Sequence, residues 1–418
     1  MSEVPEPPQL RRHGLAAFGV ANYRFYWTGQ LLGQTGTWFQ NLAIALLIVQ
    51  LTGSASALAL VTVAQFGPML LLAPLAGRLA DRVRPRSILV VTSALLGVVA
   101  LLLAWEVSNE QPTLPVVYGL IVCSGIVTAF DRVAGQAIIY ELVGGPLLQS
   151  GVVLSTVYIS AARSIGPGLA GFAVLAFGAA GCLVINAASY LVVLAALLSV
   201  RPTRMFARPA PEGERTSLLG DIRASARNRP LLVLLLVNVF VTIAAYNFNV
   251  VLTAAVTLEF GGDAGALGAT HALNAVGAVI GGLVVAWAVR VRVVTIVPAL
   301  VGFAVALAIN AAAPTLQLFL FAAPVLGIGI GVYQAVMQSA AQGASPPWAI
   351  GRTMSLVSLG NVGVAPIGAI LAGMLIDATS PRTALGVGAA ACVVAAIVAW
   401  GALRRIGAAG PIERGIAL

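Results

Sequence analysis

The chain has 418 residues, of which 59% are apolar and 9% charged, with 45 glycines and a mean hydropathy of +0.98. A soluble domain carries about 25% charged residues, so there is too little charge here to coat two or three such domains, and a chain this apolar satisfies its backbone only inside a bilayer, as helices or as a closed barrel. The net charge of +9 comes from 23 arginines against 14 acids, with no lysine, which on a soluble protein would suggest a nucleic-acid partner.

Apolar stretches too long for barrel strands recur from end to end. The first six run approximately from Tyr26 to Val49, Ala57 to Ala76, Ile88 to Trp105, Leu114 to Phe130, Ser150 to Ala176 and Ala180 to Leu198. The second six run from Leu231 to Ala254, Ala264 to Ala288, Val293 to Ala312, Leu316 to Met337, Met354 to Ile376 and Thr383 to Leu403. The expected fold is all-α and integral to the membrane, with twelve transmembrane helices in two pseudo-symmetric six-helix bundles. The divisions are a segment over 1–25, a bundle over 26–200, a linker over 201–230, a second bundle over 231–403 and a tail over 404–418. The linker is rich in proline and arginine and holds a short amphipathic stretch from Leu218 to Arg227. Cys123, Cys182 and Cys392 stand far apart in apolar runs, which reads as small packed residues rather than a disulfide or a metal site.

Basic residues are retained on the cytoplasmic side of spanning helices. With the amino terminus on that side, 21 of the 23 arginines fall there, Arg382 falls outside and Arg163 lies within a span. Both termini are therefore expected in the cytoplasm of a cell with an inner membrane, and the basic balance records topology rather than nucleic acid. The fifth span carries Gly166, Pro167 and Gly171, and the eleventh carries Pro366 and Gly373 at corresponding places. Proline and glycine at matching places in two halves point to a duplicated transporter with its substrate site near the midplane.

Ionisable residues inside a span are costly and call for a partner or a role. Asp131 lies about 25 Å down the fourth helix, near its cytoplasmic edge, and reads either as a proton-binding gate or as one half of an ion pair with Arg132 or a loop arginine. Arg163 lies about 20 Å into the fifth helix, either facing a central cavity that attracts anionic groups or locking helices together. Asp81 and His271 are further proton-coupling candidates, His271 lying about 10 Å into the eighth helix with packing as its alternative. Glu106, Glu259, Asp263 and Asp377 fall at outer loops or helix ends and read as solvated.

Neutral polar residues suggest the cavity wall. Gln30, Gln34, Trp38 and Asn41 advance by four, four and three along the first helix, and Asn238, Thr242, Tyr246 and Asn249 repeat those intervals on the seventh. Gln334 and Gln338 add a weaker stripe on the tenth. The alternative for such stripes is interhelical hydrogen bonding. With Phe39, Phe66, Tyr158 and Phe248 on nearby stretches, the cavity would suit a sizeable amphipathic molecule. No phosphate-cradling loop and no nucleophile–base arrangement stands out, so neither ATP hydrolysis nor enzymatic chemistry is expected, and no cofactor or metal.

Gly77-Arg78-Leu79-Ala80-Asp81-Arg82, followed by Arg84, Pro85 and Arg86, resembles the signature loop of the major facilitator superfamily. Here Gly77 would allow close helix approach, and Asp81 would form a charged latch with Arg82 or Arg86, because Pro85 stands where the family usually has a basic residue. Asn22-Tyr23-Arg24-Phe25, Asp131-Arg132 with Gln136, Ala162-Arg163-Ser164-Ile165-Gly166-Pro167 and Gly351-Arg352 resemble the enterobactin-exporter-like branch of drug:proton antiporters, also called transmembrane secretion effectors. The resemblance implies a monomer that exports drugs, dyes or siderophore-like metabolites in exchange for protons. It equally accommodates an uncoupled or narrow-substrate exporter of a siderophore or lysolipid. A non-transporting receptor or scaffold is the reading from another class.

Overall fold

A computed structural model describes residues 15–207, 228–288, 291–346 and 349–407, with the side chain of Asp81 outside the described part. The linker stretch from Leu218 to Arg227 and much of the tail also lie outside the described residues. Among the described residues the secondary structure is helical, and nine helical stretches are long and apolar enough to cross a membrane.

The amino-terminal half opens with α1 (Ala21–Thr52), α2 (Ala55–Arg82) and α3 (Pro85–Val107). An unbroken run of 86 residues, Leu114–Ser199, follows and bends at Gly144 (φ 72°) and Gly178 (φ 69°) into α4 (114–143), α5 (145–177) and α6 (179–199). Side chains with a Cβ avoid this left-handed backbone region, so glycine is what lets the chain turn without a loop. At Gly144 a Cβ would also press on the Phe206 ring at 3.2 Å. The sequence pattern ends the fourth span near Phe130, yet α4 continues a further three turns. Ile138, Ile139, Leu142 and Val143 are buried there with Tyr23, Tyr26 and Leu197 in a separate apolar cluster.

The carboxy-terminal half has α7 (Arg229–Ala245), α8 (Phe248–Ala254), α9 (Ala264–Ala288), α10 (Ile296–Ala311) and α11 (Leu316–Gly343). It closes with α12 (Ile350–Ser358), α13 (Ala365–Ala378) and α14 (Pro381–Arg405). A π-helical turn, Ala255–Glu259, extends α8, and a second, Leu359–Gly363, joins α12 to α13. The expected seventh span is thus broken at Tyr246 and Asn247, and the eleventh is widened in mid-course.

Packing follows the logic of a bilayer, where small residues bring helices together and large apolar ones face lipid. Buried positions are rich in alanine, whereas Leu71, Phe172, Trp287 and Phe321 are exposed. Between α9 and α11 the approach is backbone to backbone: a Cβ on Gly277, Gly281, Gly327 or Gly331 would collide with main-chain atoms of the facing helix.

The two halves meet mainly at one end. A Cβ on Gly171 of α5 would lie 2.7 Å from the Ala264 carbonyl oxygen and 3.0 Å from Gly268 of α9. One on Gly373 of α13 would lie 2.8 Å from the Ala55 carbonyl oxygen of α2. At this same end Asp377 binds the start of α2, accepting from the Ala55 amide (2.7 Å), the Ser56 amide (3.0 Å) and the Ser54 hydroxyl (2.7 Å). Toward the other end α2 packs little against α12, and a space of about 410 Å³ opens between Met69, Leu70, Gln136, Met354 and Ser358.

The signature-loop residues and the outer acids depart from what the sequence suggests. Gly77 does not serve close approach, since a Cβ there would meet nothing within 4 Å. Arg86 is committed elsewhere, donating to the Leu197 and Leu198 carbonyls (3.0 and 3.3 Å) and so tying α3 to the end of α6. Arg82 is exposed on the last turn of α2. Glu106 is buried rather than solvated, accepting from the Thr113 amide at 2.6 Å and from Asn109. Glu259 pairs with Arg382 at 3.1 Å, and Asp263 caps α9 by accepting from the Ala266 amide at 2.8 Å. Cys182 and Cys392 are buried as expected, whereas Cys123 is exposed.

Candidate functional site

A cavity of about 270 Å³ lies between the halves at mid-length, walled by α1, α2, α4 and α5 on one side and by the α7–α8 break, α8, α9, α11, the α12–α13 turn and α13 on the other. From α1 it receives Trp38, held in place by the close passage of α5: a Cβ on Gly166 would lie 2.7 Å from the indole. Pro167 follows in the wall, so the glycine–proline step of α5 shapes the cavity at its side, while Gly171 one turn further on seals its end.

His271 of α9 faces Trp38 across the gap, with ring centroids 6.3 Å apart. This contact joins the two halves at the cavity. A small adjoining pocket carries Asn41 and Gln65, whose side chains hydrogen-bond at 3.4 Å, together with Asn249.

Arg132 of α4 and Arg163 of α5 both line the cavity and are exposed to it. They are near enough to repel one another. Arg163 and Gln334 of α11 both come near the Tyr246 hydroxyl. Among the described residues neither arginine forms an ion pair within 4 Å. Asp131, the adjacent acid, is instead hydrogen-bonded to the Thr92 hydroxyl of α3 at 2.7 Å. Its carboxylate thus turns toward its own half, away from the cavity that the neighbouring Arg132 enters.

The polar stripe on the seventh span does not hold together as one wall. Asn238 is buried inside its own half, donating to the Val357 carbonyl at 3.1 Å and standing 3.5 Å from the Tyr333 hydroxyl. Thr242 is likewise buried and donates to Asn361 at 3.3 Å. The helix break after Ala245 then rotates the following residues, and Tyr246 and Asn249 reach the cavity. On α1, Gln30 is buried and Gln34 half-buried, leaving Trp38 and Asn41 as the residues that reach a cavity. Gln338 is exposed on α11, and Pro366 is buried at the start of α13. Tyr158 packs against Trp27, with centroids 6.3 Å apart, and Phe39 packs into the main core, while Phe66 and Phe248 do line the cavity.

Pattern reading missed Asn247, Asn274 and Asn361. Asn361 sits in the π-helical turn between Gly360 and Gly363, and such single-turn bulges recur at functional sites because the extra residue re-aims its neighbours. An asparagine flanked by glycines within an apolar span was the available signal.

The sequence matches the family described as transmembrane secretion effector over residues 12–409. The chain belongs to the transmembrane secretion effector family. This secretion effector shares its fold with solved membrane transporters of the major facilitator type. A bacterial homologue of the human lysosomal transporter Spinster, inward-facing and unoccupied, is 14% identical and superimposes with a TM-score of 0.71 over 94% of this chain and 99% of that one. A bacterial homologue of the iron transporter ferroportin, in an inward-facing state, is 19% identical with a TM-score of 0.70 over 91% and 98%. The nucleoside transporter NupG is 12% identical with a TM-score of 0.71 over 91% and 99%. No curated protein matches the sequence. The effector is accordingly a multi-pass membrane transporter and not an enzyme.

Proposed function

We propose that this protein is a secondary active exporter that moves small amphipathic molecules out of the cytoplasm by alternating access, with protons entering in exchange. The observation that carries this reading is the mid-length cavity between the halves, with its wall of aromatic rings and amides and with one end sealed by helix contacts. On this reading α1 and each of the three legs of 114–199 is a span, for twelve in all, six over 26–200 and six over 231–403. The arginine distribution supports an inner-membrane protein with both termini in the cytoplasm, and on that reading the sealed end is the outer one and the protein, a monomer, faces inward. The Spinster and ferroportin homologues, both described as inward-facing, support that assignment.

The proton would use Asp131. Its hydrogen-bond partner is a neutral hydroxyl, so the carboxyl can gain and lose a proton without breaking an ion pair. His271 is the second site, at the contact between halves. For Asp81, basic neighbours at a membrane edge support the gating role.

Extrusion of fluorescent amphipathic dyes from proteoliposomes, with and without an imposed pH gradient, tests the proposal. Wild-type protein is expected to show gradient-dependent flux, and Asp131→Asn to abolish that component while folding to normal yield. Flux that ignores the gradient in both proteins would replace proton exchange with uncoupled export of a narrower substrate such as a siderophore or lysolipid. Dye binding without flux would leave a receptor.

A further inference from the structure

The charge inside the cavity is one-sided. Arg132 and Arg163 contribute two guanidinium groups, and among the described residues no aspartate or glutamate lines either the central cavity or the space that continues from it past Gln136. The nearest acid in sequence, Asp131, spends its hydrogen bond on Thr92. Among the described residues neither arginine has an ion-pair partner within 4 Å, Asp131 attracts Arg132 only from its place beside Thr92, and two like charges held inside a membrane protein are costly and raise each other's cost by repulsion. If helix locking were their task, each would be expected to satisfy its donors on carbonyls of neighbouring helices, as Arg86 does at the end of α6. Arg163 instead lines the cavity beside Tyr246, and both arginine side chains remain open to it.

Resting on the export reading above, we infer that the cavity selects amphipathic substrates with an anionic head group, such as a carboxylate, sulfonate or phosphate, bound between Arg132 and Arg163. Guanidinium groups present paired N–H donors that match the oxygens of such heads. The rings of Trp38, Phe66 and Phe248 take the apolar body, and Asn274 and Asn361 supply neutral donors along its length. A cationic amphiphile, by contrast, would meet two like charges and no carboxylate, which disfavours it strongly in a low-dielectric site. An anion could enter from water or as a lipid head group from the inner leaflet. The recognition is the same in both cases.

The test uses two dansyl probes of equal size with permanent charges, one ending in a sulfonate and the other in a trimethylammonium, in proteoliposomes of the full-length protein. The sulfonate probe is expected to move at least about tenfold faster than its twin. Arg163→Gln and Arg132→Gln are each expected to erase the preference and Arg163→Lys to keep much of it, although the wild-type comparison decides the matter even if a variant folds poorly. An ammonium probe that moves as fast or faster overturns the proposal and leaves export standing. If neither probe moves, equilibrium binding to the purified protein separates the two claims. Tighter sulfonate binding by about tenfold upholds the anion site while export fails, and equal or reversed binding overturns the site as well. A further arm follows a fluorescent lysophosphatidate in the bilayer. Movement of that lipid alone assigns the anion to the membrane, and movement of the soluble sulfonate alone assigns it to the cytoplasm.

Discussion

Replacing Gly327 with alanine is expected to destabilise the carboxy-terminal half by about 3 kcal/mol or more, at the upper end of what overpacking costs. A Cβ at Gly327 would collide with the carbonyl and carbon of Asn274 and with the amide of Ala278, all main-chain atoms of α9. A flexible side chain can move aside, but two helix backbones cannot separate locally without losing the contacts of the whole seam. The seam is built from both sides. Gly277 and Gly281 of α9 face Pro324 and Ile328 of α11, and Gly327 and Gly331 of α11 face Asn274 and Ala278 of α9. Each pair has the four-residue spacing that lets membrane helices approach closely, which here replaces the hydrophobic drive absent in lipid. Asn274 gains a second role from this geometry, because it both lines the cavity and receives the close approach of Gly327. Folded yield on gel filtration and the thermal midpoint in detergent measure the effect. Gly282→Ala, one residue from the seam where a Cβ would meet nothing within 4 Å, is the control and is expected to change stability by no more than about 0.5 kcal/mol. Equal behaviour of the two variants would mean that the seam does not carry the packing.

Length and hydropathy made the helices legible, since a stretch that must span lipid has few other conformations open to it. The polar face of α1 was legible only in part: the helix is unbroken, as the spacing requires, but Gln30 is buried short of the cavity. The matching stripe on the seventh span failed for a definite reason. Periodicity assumes one continuous helix, and the break at Tyr246 and Asn247 divides residues that the spacing had aligned. Asn238 and Thr242 then satisfy their hydrogen bonds within their own half, the expected fate of polar groups that meet no water. Glu106 was misread as solvated, and the partners of Asp377, which is exposed as expected, were not foreseen, for a different reason. Glu106 finds its partner seven residues away in a tight loop, and Asp377 finds its partners 321 to 323 residues away, a distance that no local pattern crosses. The one-sided charge of the cavity was half visible in Arg163 alone. It became a property only when the fold brought Arg132 to the same space.

Asp377→Ala is expected to loosen the sealed end and to shift the population toward a state in which that end is open. The carboxylate accepts three hydrogen bonds, two from the first backbone amides of α2 and one from the Ser54 hydroxyl. Ser54 is at the same time the cap of that helix, accepting from the Ala57 amide at 3.2 Å, so the acid of α13 and the serine before α2 form one terminal network. The first amides of a helix have no partners within it and carry its positive dipole end, so an anion placed there is held by both effects. Because Asp377 is exposed, solvent weakens these bonds, and about 1 to 2 kcal/mol is a reasonable sum, equivalent to a factor of about 5 to 30 in a two-state population. The other contacts at this end, Gly373 on Ala55 and Gly171 on Gly268, are apolar and would remain, so closure should weaken rather than vanish. Spin labels at Ser108 and Ser380, in a background with Cys123, Cys182 and Cys392 replaced by alanine, report the separation of the halves at this end. The variant should add a longer distance component, and Asp377→Asn, which retains an acceptor without the charge, should fall between it and the wild type. A distance distribution unchanged in both variants would assign closure to the glycine contacts alone and reduce Asp377 to a cap.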